Sequence, residues 1–117
     1  MSSPRTFIVL MYATEGDWDN ADEATKAEYY RQHGDYDDRA ADFGVTFLAS
    51  EALQSVTTAV TLRRSGDDAE VTEGPFAETV EQLGGFYLVT APDREAVLKH
   101  AMLLPEYTIE VREIAQM

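Results

Sequence analysis

Glu73-Gly74-Pro75-Phe76-Ala77-Glu78-Thr79-Val80-Glu81-Gln82-Leu83-Gly84-Gly85-Phe86-Tyr87-Leu88-Val89 starts as a turn and ends as a strand. Gly74 permits unusual backbone angles and Pro75 fixes its own, so the front of the stretch reads as a rigid turn. Glu78 and Glu81 make the next residues an acidic loop, and Gly84-Gly85 reads as a hinge. Phe86-Tyr87-Leu88-Val89 is apolar without alternation, which is the pattern of a strand covered on both faces.

A second such run, Phe7-Ile8-Val9-Leu10-Met11-Tyr12, lies near the start of the chain. Residues 13–20 read as a loop, in which Trp18 caps the core, lines a pocket or, the favoured reading, acts as a hydrophobic staple at the start of the next helix. From about Ala21 to Phe43 the period turns helical. Tyr29, His33, Tyr36, Ala40 and Phe43 form one stripe, while Asp22, Glu23, Glu28, Asp35, Asp37, Asp38 and Asp42 occupy the other faces. Gly34 interrupts that helix, as a close approach to the sheet or a kink. Gly44 supplies its left-handed stop. Residues 45–53 read as a strand, and residues 57–72 as a hairpin turning at Ser65-Gly66-Asp67-Asp68. Asp93 caps a second helix that ends before Pro105. Residues 107–114 alternate as an edge strand.

The order is βα β (ββ) β α β, an α+β chain of the ferredoxin-like, split βαβ type with an inserted hairpin. The two apolar runs fall on the strands that this arrangement places centrally. Two helices cover one face of a four-stranded sheet. The other face is exposed, covered by the inserted hairpin or buried against a second chain; since both central strands read as apolar on both sides, a homodimer packed sheet to sheet is expected. The whole chain, 1–117, reads as one domain.

Composition sets further bounds. A net charge of −13 disfavours nucleic acid and anionic lipid partners. There is no cysteine, which excludes disulfides and thiol chemistry and fits a reducing cytoplasm. No stretch reaches the roughly 18 apolar residues of a membrane span, and the N-terminal apolar run is too short for a signal peptide. A soluble, cytoplasmic protein is expected. The fingerprints of dinucleotide and phosphate binding, of zinc proteases and of serine hydrolases are missing. No cofactor or metal is expected.

The stretch Glu73–Leu88 resembles the DGPFAETKEQLGGYYL pattern of the DGPF branch of the YCII-related family. Phe7–Tyr12, Gly44–Leu53, Thr61-Leu62-Arg63 and Ile109–Arg112 resemble other segments of that family, so the likeness runs along nearly the whole chain. It implies a ferredoxin-like fold that dimerises as an α/β barrel. It also implies a link to sigma-factor or stress regulation in this branch, and, in better-understood relatives, a His-Asp pair in a cleft. Glu73 stands where the pattern has Asp, one methylene longer.

Several side chains are candidates for chemistry. His33, on the apolar stripe, is either an acid–base group or a core histidine. Glu73 and Glu78 flank the rigid turn and either serve as a base or shape the loop. Glu51 ends a strand and is a possible carboxylate partner. Arg63 is either an anion anchor or half of an ion pair. Tyr12, Tyr36 and Tyr87 offer hydroxyls to a pocket or fill the core. His100 reads as a surface residue at a helix C-terminus. The leading reading is an enzyme of the lyase or hydrolase type moving a proton on a small organic molecule. In it His33, Glu73 and Glu51 are catalytic, and Arg63, Glu78, Tyr12 and Tyr36 bind substrate. The alternatives are a non-catalytic small-molecule-binding or accessory protein linked to sigma-factor regulation, and a purely structural interaction domain.

Overall fold

The apolar run at residues 7–12 becomes the middle of strand β1 (Arg5–Ala13), and the run at 86–89 lies in strand β5 (Gln82–Ala91). The two pair antiparallel at the centre of a sheet ordered β2-β5-β1-β6, where β2 is Thr46–Ala52 and β6 is Thr108–Glu113. The computed structural model describes residues 3–117. Every pairing in this sheet is antiparallel, so each βαβ unit is split by a strand of the other, as expected for this α+β order.

Helices α2 (Glu23–Asp38) and α3 (Arg94–Ala101) pack on one face of the sheet. Asp22 caps α2 by accepting from Thr25 N at 2.8 Å, and Asp93 caps α3 by accepting from Ala96 N at 2.9 Å. A single 3₁₀ turn, Ala40–Phe43, closes the first helical stretch, and Gly44 ends it with φ at 72°. Residues 13–20, expected as a loop, hold a short helix, α1 (Glu15–Asp19). Two acidic residues in its first turn favour it through the helix dipole.

Burial alternates along both central strands. Phe7, Val9, Met11, Tyr87, Val89 and Ala91 point to the helices and are buried. Ile8, Leu10 and Leu88 face the other way and stay partly exposed. The unbroken apolar runs had implied cover on both faces; among the described residues only the helix side has it. The inserted hairpin does not supply the cover. Strands β3 (Val60–Ser65) and β4 (Asp68–Glu73) form a separate two-stranded sheet, and every residue in it except Thr61 is exposed. Principal extents of 48, 44 and 18 Å accommodate a sheet with one helix layer and no third layer.

Gly84-Gly85 is a bulge, not a hinge. Met11 pairs with Gly85 while Tyr12 pairs with Leu83, so Gly84 is the extra residue. Gly85 is buried against β2, and a Cβ there would lie 2.9 Å from the Glu51 carbonyl oxygen. Neither strand can yield without losing its ladder. Gly34, by contrast, has nothing within 4 Å of its Cβ position, so contact with the sheet does not explain it. Gly85→Ala is expected to cost about 1–3 kcal/mol in urea unfolding. Gly34→Ala is expected to be neutral or to stabilise by up to about 1 kcal/mol. Equal effects at the two positions would contradict this account of the bulge.

Candidate functional site

His33 lies on the stripe of α2 that faces the sheet, one turn after Tyr29 and one before Tyr36. Its Nδ1 is 2.7 Å from the Tyr87 hydroxyl and its Nε2 is 2.8 Å from the Tyr107 hydroxyl. Tyr87 reaches it because the pleat of β5 turns that residue toward the helices. Tyr107 reaches it from the turn between buried Pro105 and β6. Among the described residues no carboxylate bonds either ring nitrogen.

This arrangement fixes a proton count. A neutral imidazole has one N–H and one bare nitrogen. The bare nitrogen accepts from one tyrosine O–H, while the N–H donates to the oxygen of the other tyrosine. That second tyrosine keeps its own O–H free for a further acceptor. Burial supports the neutral state. It lowers the His33 pKa from the ordinary 6.5, with the charge of Asp37 pulling the other way. It raises the Tyr87 phenol, and it pushes Tyr107 up to about 12. At neutral pH the trio is an uncharged relay, Tyr–His–Tyr.

The relay forms part of the wall of a cavity of about 660 Å³ that also meets α1, the end of β2 and the bulge of β5. Aromatic rings lead into it. Trp18 packs on Tyr29 and edge-on against Tyr30, with centroids 5.8 and 5.6 Å away. Tyr29 meets Tyr107 edge-on at 6.0 Å. Glu15 latches α1 across the mouth by accepting from Ser55 Oγ at 2.9 Å and Val56 N at 2.8 Å. Trp18 therefore does more than staple a helix: it lines the cavity.

The residues singled out in the sequence are distributed unevenly. His33, Glu51 and Tyr87 line the cavity. Glu51 sits on edge strand β2 opposite Phe86, which sets its side chain away from the helices, at the rim. Glu73 ends β4 and Glu78 lies in the loop beyond; both are exposed and outside the cavity lining. Arg63 donates to the Phe76 carbonyl at 2.9 Å and so braces the turn after Gly74. Tyr12 alternates onto the sheet face away from the helices. Tyr36 is fully buried, its phenol raised by that burial. Its ring stacks on His100 at 3.7 Å and 7°.

His100 corrects an expectation. It is wholly buried, not at the surface, and its Nε2–H donates to the Tyr36 carbonyl at 2.6 Å. Its burial lowers its pKa from 6.5, against the pull of that carbonyl and of Asp37. The helix-end position had suggested a solvated cation, but the last turn of α3 packs on the 3₁₀ turn after α2, with Phe43 5.2 Å from the imidazole. Tyr107 was not singled out. It has no periodic relation to His33, and only the adjacency of β6 to β1 carries it to the site. Among the described residues no group of three or more His, Asp or Glu side chains is placed to hold a metal ion.

A four-stranded antiparallel sheet with two helices on one face, and a cavity walled by a histidine between two tyrosines, defines a small α+β protein with an aromatic-lined cleft beside the helices. The chain belongs to the YCII-related domain family, whose sequence pattern matches residues 6–117. It is also 47% identical over 49 residues to an uncharacterized protein of Rhizobium meliloti (strain 1021). That match spans 42% of this chain and 40% of the relative.

The charge state of His33 can be read by NMR titration of its ring protons. The midpoint is expected below 6.5 in the wild type. Asp37→Asn removes the carboxylate that favours the imidazolium, so the midpoint should move lower still. A midpoint that rises in Asp37→Asn would contradict the assigned electrostatics.

Proposed function

We propose that this protein is an acid–base catalyst that moves a proton on a small organic molecule bound in the cavity, in chemistry of the lyase or proton-shift type. The observation that carries this reading is the bonding of both His33 nitrogens to tyrosine hydroxyls at the cavity wall. A bound molecule gives a proton to the oxygen of the first tyrosine as that tyrosine's O–H proton passes to the bare imidazole nitrogen. The imidazole N–H proton passes to the second tyrosine, whose own proton goes to an acceptor atom of the bound molecule. The protein ends with the same number of protons and the other imidazole tautomer. The electron pair released in the ligand forms a new double bond, or leaves with a departing group that the second tyrosine protonates. His33 is the acid–base group, and Tyr87 and Tyr107 are its hands. Glu51 contributes charge at the rim.

The alternative is a ligand-binding accessory protein of the DGPF branch, with a regulatory link and no turnover. The absence of a carboxylate on His33 among the described residues favours it. Both readings use the same cavity and differ in catalysis alone. A panel of small carbonyl and phenolic compounds incubated in D₂O separates them by NMR. The catalytic reading expects deuterium incorporation or elimination in at least one compound, and a drop of about 10²–10⁴-fold in His33→Gln. Equal rates in wild type and His33→Gln would remove His33 from any mechanism.

We also propose a homodimer that buries the open sheet face and makes the α/β barrel implied by the family likeness. Support comes from the apolar pairs on that face, Ile8 with Leu88 and Leu10 with Phe86. The hairpin adds exposed Val60, Leu62 and Val71. Such a surface is a liability if left in water, and an isolated hairpin is marginal on its own. Light scattering at micromolar concentration should give the mass of two chains, and Leu10→Lys should give one. A wild-type monomer would overturn the assembly.

A further inference from the structure

We infer that the cavity selects a small molecule carrying a protonated amine next to a flat apolar body. This rests on the reading of the cavity as the ligand site and adds the charge class of its ligand. Four carboxylates, those of Glu15, Asp17, Asp19 and Glu51, belong to residues lining the cavity, and no lysine or arginine does. The histidine in the wall is the neutral member of the relay described above. Of the four, only Glu15 is engaged among the described residues, through Ser55 and Val56; neutral donors leave its charge in place. Against these carboxylates stands the Lys26 ammonium over the Trp18 ring, so the potential at the mouth is negative on balance, and a chain of net charge −13 deepens it. An anionic substrate would meet repulsion there and no guanidinium to hold it, because Arg63 is committed to the Phe76 carbonyl outside the lining.

The walls match the other half of the ligand. Trp18, Tyr29, Tyr30 and Tyr107 present ring edges and faces to the space, and aromatic faces attract ammonium groups through their quadrupole. The protein already shows this contact: Lys26 Nζ lies 5.1 Å from the centroid of the Trp18 ring. An amine at the α1 end of the cavity would gain from both carboxylates and rings. Its flat body would then extend over Tyr29 toward Tyr107, where one tyrosine O–H remains available for a hydroxyl or carbonyl oxygen.

The test uses three probes of one shape and different charge: tyramine, 4-ethylphenol and 3-(4-hydroxyphenyl)propanoate. Isothermal titration calorimetry on the wild-type protein at low salt is expected to rank them ammonium, neutral, carboxylate. At least about a tenfold gap in Kd should separate the first from the last. Raising the salt should narrow the gap, since the rim charges are screened. The double variant Asp17→Asn/Asp19→Asn should lose most of the preference for tyramine over 4-ethylphenol while still binding 4-ethylphenol. Equal binding of all three probes overturns the charge selection and leaves the cavity as a ligand site. Preference for the carboxylate also overturns it. Binding of none at millimolar concentration overturns both the selection and the cavity reading.

Discussion

The antiparallel pairing of β1 with β5 is the constraint on which the rest of the molecule depends. Phe7 faces Val89, Val9 faces Tyr87 and Met11 faces Gly85. These pairs form the floor on which α2 and α3 lie, so they set the core. The same register places Tyr87 under His33. A slip of one residue would turn Tyr87 to the opposite face and leave the imidazole without its partner. Fold and site are thus one decision, made where the two central strands meet.

The bulge at Gly84 shifts that pairing by one residue beside the cavity, and Gly84 is part of its lining. Beyond it Tyr12 pairs with Leu83 and Ala13 with Gln82, while β2 closes against Gly85. Glu15 then ties α1 to the chain after β2. The cavity is therefore bounded in part by the bulge of β5, while His33 in its wall is anchored on the longest helix. Rigid support for the histidine and irregular backbone around the ligand space is a sensible division for a binding site.

Much of the architecture could be read from sequence. Element order, the two central strands, the cap at Asp93 and the stop at Gly44 each have a local cause, visible in a few residues; the cap at Asp22 was not legible there, since the helical pattern placed that residue on the polar face of the helix. The helical stripe placed His33 against the sheet. What local pattern could not show was distance along the chain turned into contact in space. Tyr107 meets His33 across 74 positions, and His100 is buried because the turn after α2 closes over it. Glu73 and Glu78 drew notice for their turn chemistry, yet that turn lies on a hairpin with its own separate sheet. The double glycine read as a hinge because glycine pairs suggest freedom; here they answer a lack of space and a bulge.

The central claim is that His33 is held neutral between two phenols. Long-range proton–nitrogen NMR of the imidazole near pH 7 tests it most directly. The account predicts one protonated and one bare ring nitrogen, with a ring N–H that exchanges slowly with solvent, and faster exchange when Tyr87 or Tyr107 is replaced by phenylalanine. Two protonated nitrogens at that pH, or a ring N–H exchanging as freely as in a solvated histidine, would contradict it.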